Sequence, residues 1–356
     1  MKILSTEQIR LWDQYTIENE PILSIDLMER AAVKCTDWLV KQYPEASSFA
    51  VFCGKGNNGG DGLAIARMLQ QHLFTVTIYI LEFGHKGSDD FQTNLARLHQ
   101  LPATDIHFIQ SEENFHSLSE EKIVIDALFG SGLNRKVEGL AAKLIEHINN
   151  SGCQIISIDI PSGLFADHSS KENITIKATC TLSFECHKPA FLVAENENAA
   201  GQIHLLDIGL HPDFLQTTVT RFELLDASMI KAVYKPRKQF GHKGTYGHAL
   251  LVTGSYGKMG AAILSAKACL RSGAGLLSCH IPKCGYDILQ TVVPEAMVIT
   301  DFNSSFNTKI EDDLTKYKAI ENFPEHRFSF GGCANARTNS NGFIFCQVIF
   351  NFCIKR

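Results

Sequence analysis

Val51-Phe52-Cys53-Gly54-Lys55-Gly56-Asn57-Asn58-Gly59-Gly60-Asp61-Gly62 passes from a short apolar run into a stretch of helical spacing, and this turn decides the fold. Five glycines within nine residues permit positive φ and a close backbone approach. The helix that follows, read from Gly62 to His72, offers unpaired N–H groups to an anion such as a phosphate. The turn is neither a GxGxxG fingerprint nor a Walker A loop, since no Gly-Lys-Ser/Thr closes it. Asp61, at the helix start, opposes a phosphate beside it but can accept from hydroxyls or from its own turn. A tight turn with an Asp cap is the plain structural alternative.

Outward from this turn, helices and strands alternate. Upstream, Ser5 followed by Gln8 has the pattern of a capping box, and Ile9, Trp12 and Ile17 continue at helical spacing to Pro21. Asp26 with Glu29 marks a second helix start, carried by Leu27, Ala31, Ala32, Cys35, Trp38 and Leu39 up to Pro44. Short β-branched or aromatic runs read as strands at Phe49–Cys53, Val76–Leu81, Ile123–Ile125, Ile155–Ile158 and Thr179–Phe184. Helical stretches fall between them at Gly62–His72, Ser88–Gln100 and Leu140–Ile148. Strands apolar on both faces and alternating with helices imply an α/β fold, a Rossmann-like doubly wound parallel sheet with helices on both faces. In such sheets ligands sit beyond the carboxyl ends of the strands.

Two further strand ends carry chemistry. Asp126 closes one strand, and Gly130-Ser131-Gly132-Leu133-Asn134-Arg135-Lys136 follows with glycines and two cations able to wrap a diphosphate. A flexible loop with a solvated basic tip is its alternative. Asp159-Ile160-Pro161-Ser162-Gly163 follows another strand, and its stiff Pro turn fixes a carboxylate and a hydroxyl at the sheet rim. An Asx-turn is the structural reading there. His187 and Lys188, past Phe184, are placed to edge the pocket, but the favoured reading for them is a solvated loop.

Composition sets the bounds. The 356 residues, 45% hydrophobic and 20% charged, have room for two ordinary domains. A formal net charge of -5 gives no basic field, which argues against nucleic acid or an anionic membrane as partner. The eleven cysteines form no CxxC pair and fit reduced thiols in the cytoplasm. The N-terminus lacks the apolar core of a signal peptide, and no apolar run reaches the roughly 18 residues of a membrane helix.

In this order and at these separations, GKGNNGGDGLAIARML, IDALFGSGL and IDIPSGL resemble the NAD(P)H-hydrate epimerase family, the N-terminal half of bifunctional NAD(P)H-hydrate repair enzymes. The resemblance runs from about Met1 to Leu210. It implies interconversion of the R and S epimers of hydrated NADH and NADPH, with a bound potassium ion and a homodimer through the N-terminal helices. Carried over residue by residue, it places substrate binding on Asn57, Asn58, Gly59, Gly60 and Asp61, on Gly130 through Lys136, and on Asp159. It places the potassium ligands on Asn58, Asp126 and Ser162, oxygen donors of the hard kind such an ion accepts. Asp159 is the candidate acid/base group, since epimerising a carbinolamine carbon requires a proton to move on or off the hydroxyl or ring nitrogen.

The expected organisation is an epimerase domain at 1–215, a linker at 216–235 and a second region at 236–320. There, Phe240–His248, Gly254–Ala262, Arg271–Gly275 and Val293–Met297 resemble the start of an ADP-dependent NAD(P)H-hydrate dehydratase domain of ribokinase-like fold, for which ADP or ATP is the implied cofactor. From Glu321 the resemblance stops. The tail to Arg356 lacks the preceding periodicity and reads as an aberrant or frameshifted segment, leaving the ribokinase-like part incomplete and its dehydratase activity lost. Two rivals remain at this level: a non-catalytic interaction module on the same fold, against which the intact Asn57–Asp61 run, Asp126 and Asp159 speak, and a phosphotransferase based on the second half.

Overall fold

The computed structural model describes residues 1–44, 48–82, 84–102, 104–234, 236–322 and 329–330. The chain separates into two compact units, Met1–Asp226 and Ala227–Arg356. In the first unit the order is β1 (Lys2–Ile3), α1 (Thr6–Asn19), α2 (Ser24–Gln42), β2 (Ser48–Cys53), α3 (Asn57–Gln71), β3 (Thr75–Leu81), α4 (Asp89–His99) and β4 (Asp105–Ile109). There follow β5 (Ile123–Ala127), α5 (Gly139–Asn149), β6 (Gln154–Ile158), β7 (Cys180–Phe184), β8 (Gln202–Leu206) and β9 (Phe222–Glu223).

The core of this unit is a seven-stranded parallel sheet of order β4-β3-β2-β5-β6-β7-β8. The alternation of side chains along a strand divides its packing. On β2, Phe49, Val51 and Cys53 pack among α2 and α3, whereas Ala50 and Phe52 pack on the opposite face with Leu144, Ile145 and Ile148 of α5. Burial on both faces confirms the doubly wound, Rossmann-like class and explains the continuous apolar strands. Each fully buried Leu or Ile, such as Leu63, Ile65 and Leu69 of α3, contributes about 1.5–3 kcal/mol. The chain winds outward through β3 and β4, then returns to β5 on the other side of β2. That switch point leaves a crevice at the carboxyl ends of β2 and β5.

Element boundaries differ from the sequence reading in ways with physical causes. The Ser5 and Gln8 box is present: the Gln8 N–H donates to Ser5 Oγ at 3.3 Å and the Ser5 N–H to Gln8 Oε1 at 3.1 Å. Asp26 is not the cap of α2, which starts two residues earlier; its carboxylate accepts from the Leu23 N–H at 3.2 Å. β4 escaped notice because Asp-Ile-His-Phe-Ile is an edge strand, half exposed and without a clean apolar run. The largest correction is at α3, which begins at Asn57 and not at Gly62. Its glycines are there for packing and not for a loop: a Cβ on Gly59 would lie 1.7 Å from the Gly54 carbonyl oxygen, and one on Gly62 would lie 2.6 Å from the Ala127 Cβ.

In the second unit, parallel strands are ordered Met297–Thr300, Leu276–Ile281, His248–Val252 and Ala319–Asn322. The helix Met259–Arg271 covers them through Ala262, Ala266 and Cys269. The last strand corrects the sequence reading at Glu321: Glu321 and Asn322 continue in register with Leu251 and Val252, because the ladder already begun at Ala319 still has a strand to pair with. The rest of the tail expected to be aberrant lies outside the described residues, apart from the short strand Ser329–Phe330 paired with Lys309–Ile310. Among the described residues no helix is long and apolar enough to cross a membrane.

Gly59→Ala separates packing from propensity. Helix propensity alone gives alanine a gain of up to about 1 kcal/mol, whereas the clash with the Gly54 carbonyl should produce a net loss of about 1–3 kcal/mol. Urea denaturation with a raised midpoint in the variant would show that α3 does not approach β2 this closely.

Candidate functional site

A cavity of about 1090 Å³ opens over the crevice at the ends of β2 and β5. One wall is the start of α3. Gly56 caps this helix with no side-chain bond, and the first intrahelical donor back to the cap is the Gly60 N–H. The N–H groups before it are therefore available to an anion. Asn57, Asn58 and Asp61 line the cavity. Gly59 and Gly60 do not: they lie in the helix, the first against the Gly54 carbonyl and the second against Met28, with its carbonyl accepting from Asn94 at 3.2 Å.

The facing wall is the segment after β5. Gly130, Ser131, Gly132, Leu133, Asn134, Arg135 and Lys136 all line the cavity. Arg10 of α1 adds a third cation to this wall; its guanidinium would lie 2.7 Å from a Cβ placed on Gly132. Lys136 also reaches Glu172 at 2.9 Å in an exposed pair worth little in water.

Beneath the walls, Asp126 is completely buried. Ser157 Oγ and the Ser162 N–H donate to its Oδ2 at 2.8 and 2.9 Å, and Ser162 Oγ donates to its Oδ1 at 2.5 Å. Burial nevertheless pushes the carboxyl above its ordinary value, against the pull of these bonds. No cationic side chain is paired with it among the described residues. Ser162 Oγ also lies 3.2 Å from the Phe129 carbonyl oxygen, and the next residue, Gly130, abuts Asn58: a Cβ there would be 3.6 Å from Asn58 Oδ1. Asn58 is 7% exposed, and neither the oxygen nor the nitrogen of its buried amide has a hydrogen-bond partner. Asp126 and Ser162 thus touch directly, and Asn58 joins them through the Phe129–Gly130 backbone.

Asp159 follows β6 with φ 66, the left-handed region that residues other than glycine rarely occupy. Its N–H donates to the Leu182 carbonyl at 2.7 Å, which holds the strained residue at the sheet rim. The strain costs on the order of 1 kcal/mol and aims the carboxylate into the cavity. Lys188 Nζ lies 2.7 Å from Asp159 Oδ1 and donates to Ser183 Oγ at 2.6 Å. Lys188 is 1% exposed, so the solvated loop read from the sequence is instead a buried ion pair. Nothing in the local sequence distinguished it, since a lysine after a strand is ordinarily solvated.

Two more carboxyls face the cavity: Asp13, which the sequence reading missed, and Asp61, which it placed in the substrate loop with a turn cap as the alternative. Asp13 of α1 lines the same cavity; burial, then the Asp159 charge, raise it to about 7, with Lys188 opposing and Glu185 adding to the rise. Asp61 does not cap a turn. Burial and the charges of Asp159, Asp13 and Asp90 drive it well above the usual carboxylate range. Asp13 had no readable signal because it becomes part of the site only when α1 docks against the far end of the sheet.

Comparison with known proteins places this geometry. The family model described as YjeF-related protein N-terminus matches residues 24–190, and the one described as NAD(P)H-hydrate dehydratase matches residues 249–321. The bifunctional NAD(P)H-hydrate repair enzyme of Coxiella burnetii is 31% identical over 79% of this chain and 57% of its own length. The Escherichia coli counterpart is 32% identical over 77% of this chain and 52% of its own. The chain therefore spans little more than half the length of the bifunctional relatives it matches. The NAD(P)H-hydrate epimerase of Limosilactobacillus fermentum is 34% identical over 57% of this chain and 95% of its own length. The chain belongs to the NAD(P)H-hydrate epimerase family. The crystal structure of yeast ynu0 has the same fold, with a TM-score of 0.53 and 20% identity over 64% of this chain and 98% of that one. Within the epimerase-family chain, Asn58, Asp61, Asp126, Asp159 and Lys188 fall inside residues 24–190, whereas Asp13 precedes them.

The raised value of Asp13 has a stability consequence. Because the folded carboxyl titrates near 7 and its ordinary value is 3.8, the folded state holds a proton that the unfolded chain has lost between these limits. Stability therefore falls as pH rises through this window. Asp13→Asn removes the cost, and should stabilise the N-terminal unit by on the order of 1–2 kcal/mol at pH 8 and by little at pH 4. Thermal melts of both proteins at the two pH values check this; an equal difference at both would exclude burial of a charge as the cause.

Proposed function

We propose that the N-terminal unit interconverts the R and S epimers of hydrated NADH and NADPH, and that residues 1–215 carry this activity. The observation that supports it most is the meeting of three strand-end segments, Asn57–Asp61, Asp126–Lys136 and Asp159–Ser162, around one cavity. The cavity offers what a dinucleotide with an uncharged reactive ring needs. The open N-terminus of α3 and the Arg10, Arg135 and Lys136 cations suit the diphosphate. The carboxyls of Asp13, Asp61 and Asp159 suit the carbinolamine end, where a proton must move and positive charge develops.

In this reading Asp159 is an acid/base group that exchanges a proton with the substrate during the opening and reclosure of the C–O bond. Lys188 pairs with Asp159 at 2.7 Å and holds it in place. Gly59 and Gly60 serve substrate binding indirectly, by letting α3 start close to the β2 turn so that Asn57, Asn58 and Asp61 reach the cavity.

Potassium fits the residues beneath the walls. An unpartnered buried amide at Asn58, a buried carboxylate without a cation at Asp126, and the Ser162 hydroxyl form a set of oxygen donors, and no cluster of three His, Cys, Asp or Glu side chains competes for a softer metal among the described residues. When bound, the ion would compensate the buried carboxylate and fix the Gly130 segment against α3. In this reading the second region, residues 236–320, is of the NAD(P)H-hydrate dehydratase type that the match at residues 249–321 names, and ADP or ATP is the nucleotide proposed for it. A cytoplasmic location and a homodimer complete the proposal; the free cysteines fit the first.

The test mixes the protein with both epimers and an external dehydratase that consumes one of them. Acceleration of the slow phase, in which the remaining epimer is converted, is expected. Asp159→Asn should lower that rate by about 10²–10⁴-fold while nucleotide binding is retained. An Asp159→Asn rate equal to that of the parent would remove Asp159 from the role.

A further inference from the structure

Resting on the epimerase reading, we propose that Asp13 on α1 is a second proton-transfer residue, which works with Asp159 as a pair across the carbinolamine carbon. Asp13 faces the same cavity as Asp159 and Asp61 and makes no hydrogen bond or ion pair among the described residues. Its helix is fixed over the strand ends. The Trp12 indole N–H donates to the His211 carbonyl at 2.8 Å, the His211 N–H donates to Thr16 Oγ1 at 3.0 Å, and Trp12 is 3% exposed. A carboxyl adjoining so firmly held a residue, and left without a protein partner, is available to a ligand. The same cavity holds a second unpartnered group, the buried Asn58 amide.

The charged groups facing Asp13 come from several elements: Asp159 after β6, Glu185 and Lys188 after β7, and Asp61 on α3. They divide the two carboxyls. Asp159 has its ammonium partner at 2.7 Å, whereas Asp13 has no ion pair among the described residues and is raised to about 7 by burial and then by the Asp159 charge. Asp13, unpaired and with the raised value, is the donor of the pair, and Asp159, beside the Lys188 ammonium, is the acceptor, two carboxyls given separate roles by their surroundings.

The chemistry balances without an added reagent. Asp13 donates its proton to the departing hydroxyl; the C–O pair leaves on oxygen as water, and the ring nitrogen lone pair forms the C=N bond of an iminium. Water then adds to the other face, and Asp159 takes the proton it sheds. One turnover leaves the proton on Asp159 rather than Asp13, and exchange with solvent in the open cavity returns it. The surrounding carboxylates favour the transient cation.

The pH dependence of kcat and KM for the parent, Asp13→Asn and Asp13→Glu in the coupled epimer assay tests this. The parent rate should fall above about pH 7. Asp13→Asn should lower kcat by about 100-fold or more with KM changed less than about threefold, and its residual rate should lack the alkaline fall. Asp13→Glu should recover part of the rate together with that fall. Full activity in Asp13→Asn, or a lowered rate that keeps the alkaline fall, overturns the proposal, as does a parent profile that is flat from about pH 6 to about pH 9, a result independent of whether the variants fold. A parent with no epimerase activity would overturn the functional reading instead.

Discussion

The backbone contact between the turn after β2 and the turn after β5 is the constraint on which the site depends. The Gly54 N–H donates to the Ala127 carbonyl at 3.0 Å, and a Cβ on Gly54 would sit 1.9 Å from the Leu128 carbonyl oxygen. No residue with a side chain can occupy that position without moving one turn away from the other. Because the chain leaves β2 toward α3 and β5 toward α5, on opposite faces of the sheet, the two departing segments diverge from this contact and leave the crevice between them. Asn58 on one segment and Gly130 on the other then meet across it, with Asp126 beneath.

The cavity built on this contact is electrically divided. Cations gather on the wall formed by Arg10, Arg135 and Lys136, and carboxyls gather where α1, α3, β6 and β7 converge. Carboxyls so crowded and desolvated cannot all ionise: burial outweighs the Lys188 ammonium for Asp13, and burial with the charges of Asp159, Asp13 and Asp90 raises Asp61. That arrangement is costly to the fold and is retained where it is useful to chemistry. Asp159 and Glu185 repeat the pattern in the backbone: both follow a strand, both adopt positive φ, and both line the cavity. Strain of this kind persists only where surrounding packing overdetermines it, as the Asp159 bond to β7 and the Glu185 bonds to the Ile208 and Leu210 N–H groups do here.

The amino-acid sequence by itself determined the class of fold and the strand ends that bear the chemistry. Strands apolar on both faces can only be buried between helices, and glycine with a polar residue at a strand terminus has few other uses, so Asn57 through Asp61, Asp126 and Asp159 were legible. The tertiary structure decided what distance in sequence concealed. It turned the glycine run into the first turns of a helix, because close packing on Gly54 and Ala127 and not loop freedom is what those glycines serve. It buried Lys188 beside Asp159 and brought Asp13 from α1 to the same carboxylates, since ion pairing and desolvation depend on three-dimensional neighbours that no local pattern encodes.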